Sequence, residues 1–373
     1  MSATVDTSIE ASKSEIVDDL NQLKLETKVK TSEMAEIDKS ELGTDGLDKL
    51  DKKNFKIDIK HIKSTIKAVD IDDEQAEKLG QLIQLIPTIL SKINNKDYDE
   101  IFGYRINVDD AEYVNVPIRN EILLKFLIAN DYDVKVTQEK LINTLNWRSK
   151  FHPLSAAFVE TYDPELNDLG VLTKFDHGYD NLQVVTWNLY GNLKSLRKLF
   201  EKFGDSTNSK PGSQFLRWRI GLMERSLVCI DFTDPKNHKT GQVHDYTNAS
   251  LFRMDSGMKA NTKEIVEIFG DNYPELLSVK YFIGIPLIMS WVFGFIKSIG
   301  LISKETLKKF QVFAGRDMSS HFGKDNIPVE YGGTIKSPIL DMKVKKTDPP
   351  IYGDIINKRF NDEQLNKIID TVE

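Results

Sequence analysis

Polar side chains dominate the first eighty positions, which are rich in Lys, Glu, Asp, Ser and Thr and carry Phe55 as their only Phe, Tyr or Trp. Such a tract cannot repay the entropy of ordering its backbone, so residues 1–80 read as a mostly disordered extension holding a few short helical stretches. From EKLGQLIQLIPTILSKI onward the apolar residues recur at helical spacing. The run IRNEILLKFLIANDYDVKVTQEKLINTLNWRSKFHPL predicts two or three packed helices, with Ile122, Leu123, Phe126, Leu127, Val136, Leu141, Leu145 and Trp147 supplying apolar contacts. These helices form a lobe over residues 81–160. The pattern then alternates. VLTKFD, LQVVTWNLY, QVHDYTN, KYFIGIP and KFQVFA read as strands, and LKSLRKLFEKF, QFLRWRIGLMERSLVCIDF and TKEIVEIFGDNYPELL as helices between them. Strands separated by helical segments predict an α/β domain, a mixed or parallel sheet with helices packed on it, over residues 161–340. Residues 341–373 read as a Pro-broken linker and one short amphipathic helix.

One segment admits two readings. YFIGIPLIMSWVFGFIKSIGLI, residues 281–302, is long and apolar enough to be weighed as a membrane span. Pro286, Gly284, Gly294 and Lys297 interrupt it, and favour a strand followed by an unusually apolar helix from about Pro286. That helix needs an apolar partner or a lipid.

With 373 residues and 40% apolar content the chain can bury a full core, and its net charge of −7 gives no electrostatic footprint for nucleic acid. Cys229 is the single cysteine, so no disulfide forms within the chain and a thiolate zinc site is not expected. The N-terminus lacks a basic stretch followed by an apolar one and carries acids, so a cytoplasmic protein is expected. Phosphate-loop, dinucleotide, zinc-protease, nucleophile-elbow and EF-hand patterns are all missing.

Against that background the stretch GQVHDYTNAS stands out. On a strand, residues two apart share a face, so His244 and Tyr246 point one way and Val243 and Asp245 the other. One account is a satisfied polar contact under the sheet. The other is a metal or haem site, because imidazole and phenolate both ligate iron. A phenolate needs nearby cations, and Arg219 in FLRWRIGLMER and Lys280 at the head of KYFIGIP are the candidates.

The order NWRSKFHPL, VVTWNLYG, NYPELLSVKYFIGIPLIMSWVFGFIK and IPVEYGG resembles the CRAL-TRIO lipid-binding family, the fungal phosphatidylinositol-transfer proteins in particular, over residues 95–335. The resemblance implies a CRAL-TRIO fold: an N-terminal helical lobe, a mixed sheet flooring an apolar pocket, and a gate helix after Pro286 above it. In that family the strand matching QVHDYTN carries aliphatic residues at the two pocket-facing places that His244 and Tyr246 occupy here, and this substitution resembles a haem-binding branch. It implies haem b as cofactor, Tyr246 as axial iron ligand, His244 as second ligand, and Tyr190, Arg219 and Lys280 at the porphyrin. Thr247 and Asn248 stand where that branch has Lys-Gly, which puts the following turn in question. Two functions follow from the resemblance: a non-enzymatic haem-binding protein, or a carrier of phosphatidylinositol between membranes without haem. Either implies peripheral contact with a membrane, at the endoplasmic reticulum or microsomes. A haem peroxidase or catalase-like enzyme fits less well, because a second polar residue close to the iron leaves little room for peroxide.

Overall fold

The computed structural model describes residues 57–192, 196–204, 211–248, 256–285 and 304–372. The described part opens with three helices, α1 (Ile59–Thr65), α2 (Asp73–Gln84) and α3 (Ile86–Lys92). A short hairpin follows, β1 (Glu100–Ile101) and β2 (Tyr104–Arg105), then α4 (Val116–Ala129) and α5 (Val134–Phe151). Caps explain where these helices start. Asp72 accepts from the backbone of Gln75 while Gln75 reaches back to Asp72, and Asp58, Asn115 and Asp133 cap α1, α4 and α5 in the same sense.

Residues 57–80, placed in the polar extension on their composition, are instead largely helical. Ile62, Ile66, Ile71, Ala76 and Leu79 enter the main core beside Phe126 and Leu141. The side chain of Glu121 accepts from the backbone N–H groups of Lys67 and Ala68 at 2.6 and 2.7 Å, which pins the connection between α1 and α2. Sparse isoleucines in a charged tract are too few to fold alone but enough to dock on a preformed lobe. Residues 1–56 lie outside the described part. Truncation after residue 75 is therefore expected to lower the melting midpoint by ~10 °C or more: it strips three buried isoleucines, each worth about 1.5–3 kcal/mol, and leaves Glu121 without its donors. An unchanged calorimetric midpoint would refute this.

After α5 come α6 (Pro153–Phe158) and α7 (Pro164–Asn167), then β3 (Gly170–Lys174) and β4 (Val184–Leu189). Helices α8 (Leu196–Phe203) and α9 (Gln214–Leu227) lead to β5 (Thr240–Asp245), and α10 (Ser256–Asn272) leads to β6 (Leu277–Ile283). Next are α11 (Lys304–Lys308), β7 (Phe310–Val312), α12 (Ser319–Phe322) and the terminal α13 (Ile351–Val372). The expected strand at KYFIGIP ends at Ile283, where Gly284 turns to φ +67°, and the helix expected to reach Phe232 stops at Leu227.

The sheet order is β3-β4-β5-β6-β7, with β3 antiparallel to β4 and the other neighbours parallel. Parallel neighbours require crossovers, and the helical segments found in the sequence supply them. Alternation gives the sheet two different faces. Val185, Trp187, Leu189, Val243, Tyr281 and Ile283 pack on one side against Met318, Phe322, Ile327 and Tyr331. The opposite side, towards α9 and α10, carries Thr186, Asn188, Gln242, His244, Lys280 and Phe282 in matched register. A floor expected to be apolar is thus largely polar. The helical lobe and the α9 side share one continuous core. The expected gate helix after Pro286 falls in residues 286–303, outside the described part, and no described helix is long and apolar enough to cross a membrane.

Candidate ligand-binding site

His244 is the penultimate residue of β5, and Tyr246 continues its alternation one residue past the strand, held by a bond from its N–H to the Ile283 carbonyl at 2.9 Å. Asp245 faces away and anchors the turn: it accepts from Thr247 N–H, from Tyr331 Oη at 2.9 Å and from Arg316 at 2.8 Å. The turn also resolves the doubt raised by Thr247 and Asn248. Asn248 adopts φ +66°, the left-handed conformation that Asn tolerates better than other non-glycine residues. Gly191 and Gly284 flank Thr247 so closely that a Cβ on either would lie 2.0 and 2.2 Å from its atoms.

The aromatic rings converge. Tyr190, in the turn after β4, stands 5.6 Å from His244 and 5.4 Å from Tyr246 between ring centres, and Phe282 stands 5.4 Å from His244. The Arg219 guanidinium, on a residue only 4% exposed, lies 5.4 Å from the Phe269 ring centre. The Lys280 ammonium lies 5.4 and 5.6 Å from the rings of Phe282 and Phe310. Among the described residues neither cation meets a carboxylate. Cation–π contacts recover only part of the cost of withdrawing a charge from water, so two such cations facing one floor suit an anionic ligand. The five residues singled out in the sequence, Tyr190, Arg219, His244, Tyr246 and Lys280, therefore meet at one place.

The electrostatics follow from burial. The Lys280 ammonium is pushed down to about 7, by burial and then by Arg219. His244 is driven well below the ordinary imidazole range by burial, Lys280 and Arg219, so it stands as a neutral ring. Tyr246 is raised by burial and the Tyr190 phenol, with Arg219 opposing, and keeps its proton in the absence of a metal. Nε2 of His244, Oδ1 of Asn188 and Oγ1 of Thr186 are buried and have no hydrogen-bond partner among the described residues. Buried polar atoms are normally satisfied, and the concentration of three on one floor points to something that binds there. An imidazole lone pair, a phenol, aromatic walls and two free cations fit haem, which presents a metal, a flat ring system and carboxylates.

A second polar cluster escaped the sequence reading. At the opposite, N-terminal ends of β5, β6 and β7, Lys239, Glu275 and Lys309 come together with Lys125 of α4 and His238. Lys309 and Lys239 reach the Glu275 carboxylate at 3.1 and 3.6 Å. Lys125, 4% exposed, places its ammonium 3.2 Å from His238 Nδ1. Burial and the charge of Lys239 push Lys125 down to about 7, and burial with Lys125 and Lys239 pushes His238 down to about 3. Burial pushes the Glu275 carboxyl up, but Lys309, Lys239 and Lys125 outweigh it and hold the group below the usual carboxylate range. Asn181 clamps the turn by accepting from the N–H groups of His238 and Lys239. No sequence pattern links these positions.

The class of fold is a mixed sheet with a largely polar floor on its helix-covered face, preceded by a helical lobe. Residues 177–333 match the CRAL/TRIO domain. The chain is 55% identical over 320 residues to the phosphatidylinositol transfer protein SFH5 of Scheffersomyces stipitis, covering 84% of this chain and 97% of the relative. It is 54% identical over 319 residues to the protein of the same name from Candida albicans, covering 84% and 99%. The crystal structure of Sfh5 matches with a TM-score of 0.71 at 34% identity, over 79% of this chain and 99% of that one. The chain belongs to the CRAL-TRIO family, in the group of the SFH5 phosphatidylinositol transfer proteins.

Proposed function

We propose that this protein is a non-enzymatic haem-binding member of its family, with haem b on the sheet floor. The observation that carries the reading is the pair of buried His244 and half-buried Tyr246 on one sheet face, with Arg219 and Lys280 meeting no carboxylate among the described residues. Haem supplies a Lewis-acidic iron and two propionates. Tyr246 would hold the iron as phenolate after releasing its proton, His244 would offer the neutral imidazole as second ligand, and Tyr190 would pack against the ring system. Arg219 and Lys280 would take the propionates through charge-assisted hydrogen bonds.

The second reading is phosphatidylinositol transfer between membranes, which the names of the relatives favour. A specific observation supports it here: at the N-terminal ends of β5–β7 two lysines share the Glu275 carboxylate and a third, Lys125, meets the Glu275 backbone carbonyl, which leaves positive charge suited to a phosphoinositol headgroup. Both readings place the protein in the cytoplasm with peripheral association to endoplasmic reticulum membranes.

Purification after expression with ample haem separates them. Haem occupancy near one per chain and a Soret band support the first reading. A colourless protein carrying phosphatidylinositol would overturn it and leave the second. Lys309→Ala is expected to reduce lipid capture at least tenfold with the Soret band unchanged, because it removes a charge from the lysine cluster and none from the floor. Haem retention should also depend on pH. The ammonium contribution of Lys280 is full below about 7 and fades as pH rises through that value. Haem loss to a competing acceptor is expected to accelerate between pH 6 and pH 8.5 in the wild type, measured against the same buffers for Lys280→Arg, whose guanidinium stays charged throughout and whose profile should be flat.

A further inference from the structure

The pocket floor contains one acceptor whose orientation is fixed and whose partner is absent. Asn188 lies on β4 directly beside His244 in the parallel register, on the same face of the sheet. Neighbouring strands run about 4.8 Å apart, so the two side chains are adjacent. The Asn188 side chain is fully buried, and its Nδ2 donates to the Val243 carbonyl at 3.3 Å. That bond identifies the two arms of the amide: an amide oxygen has no hydrogen to donate to a carbonyl, so Oδ1 is the arm turned away from the Val243 carbonyl. Oδ1 is enclosed and has no donor, and neither has Nε2 of the neighbouring His244.

A histidine that ligates a metal does so as the neutral imidazole, with the lone pair on one ring nitrogen and the proton on the other. If Nε2 turns its lone pair to iron, the proton must sit on Nδ1, and a metal-bound imidazole almost always gives that N–H to an acceptor that fixes its orientation. The charged groups acting on His244 are Lys280 of β6 and Arg219 of α9, which are donors only. On its own strand Tyr246 would be engaged at the metal, and Gln242, two residues back on the same face, turns its amide to Met223 Sδ at 4.0 Å. Asn188 Oδ1 is the acceptor in register.

We infer that Asn188 is a positioning residue for His244, its Oδ1 accepting the ring N–H and so presenting Nε2 to the haem iron. This rests on the haem reading proposed above. It also accounts for the orphan atom: an acceptor left unsatisfied in the ligand-free fold is satisfied once the imidazole takes its binding orientation.

The test compares Asn188→Leu, Asn188→Asp, His244→Ala and the double variant His244→Ala with Asn188→Leu, each reconstituted with haem and followed by its Soret and visible bands. Asn188→Leu, of similar size but without an acceptor, is expected to reproduce the band shift of His244→Ala, and the double variant to shift no further than His244→Ala alone. Asn188→Asp keeps an acceptor in place and is expected to retain the wild-type spectrum. The ligand-free melting midpoint of Asn188→Leu should stay close to that of the wild type, since removal of an unsatisfied buried acceptor offsets loss of the bond to the Val243 carbonyl. If Asn188→Leu is insoluble, Asn188→Val replaces it. A wild-type spectrum in Asn188→Leu, an additive double variant, or a shifted spectrum accompanied by a lower ligand-free midpoint would overturn the inference and leave the haem reading standing. A wild type with no Soret band would overturn both.

Discussion

Tyr246→Phe is expected to leave the ligand-free protein folded and to cost most of its haem, with retention falling at least a hundredfold and the charge-transfer bands of a phenolate-bound iron lost. The substitution deletes one oxygen and preserves the ring, which packs 5.4 Å from Tyr190 and 6.5 Å from Phe282 between centres. Its effect on the fold should be small, because the hydroxyl makes no hydrogen bond within the described residues. His244→Ala should shift the spectrum and keep the colour. Absorption spectra of both variants after reconstitution, with calorimetry of their ligand-free forms, check this. A Tyr246→Phe protein with an unaltered spectrum would place the iron elsewhere. One that fails to fold would show that the phenol serves the core.

The largest loss of stability is expected from Arg148→Met. Arg148 is fully buried on α5 and joins Glu100 of β1 at 2.8 Å to Glu224 of α9 at 2.6 Å. Tyr98 and Tyr273 complete the network by donating to Glu100 at 2.9 Å and to Glu224 at 2.6 Å. Burial works against the charge on Arg148, but the two carboxylates outweigh it and hold its pKa well above the ordinary range, so the guanidinium stays charged. Removing it strands two buried acids side by side. Breaking a buried pair in this way costs about 3–5 kcal/mol, or roughly 10 °C in midpoint for a protein of this size. Glu100→Gln and Glu224→Gln in the Arg148→Met background should recover more than half of the loss, because neutral amides can stay buried without a counter-charge. Urea titration of the three proteins tests this, and a loss below about 1 kcal/mol would show that the site is open to water. The network ties α9, and with it Arg219, to the helical lobe, so haem retention is expected to weaken with stability.

Much of the architecture was legible because its causes are local. The alternation in VVTWNL and in QVHDYT reports which side chains share a face, and the structure places His244, Tyr246 and Lys280 on the same side of the sheet as that alternation requires. Arg219 and Tyr190 were reached partly through family resemblance, and geometry brings both to the same floor. Residues 57–80 misled because five isoleucines in a charged tract fall below what composition can distinguish from disorder. Their burial depends on a surface supplied by α2, α4 and α5.

The sequence by itself determined an α/β domain behind a helical lobe, the strand on which an imidazole and a phenol are paired, and the want of the usual catalytic patterns, since periodicity of two or 3.6 residues is a property of a few neighbouring side chains. Only the tertiary structure decided that, among the described residues, Arg219 and Lys280 meet no carboxylate and Asn188 stands beside His244 with an acceptor that has no donor, and that Lys125, Lys239 and Lys309 gather around Glu275. Charge pairing and burial are set by atoms brought close from distant parts of the chain, and a polar residue reads the same in sequence whether its partner is water, a carboxylate or a ligand.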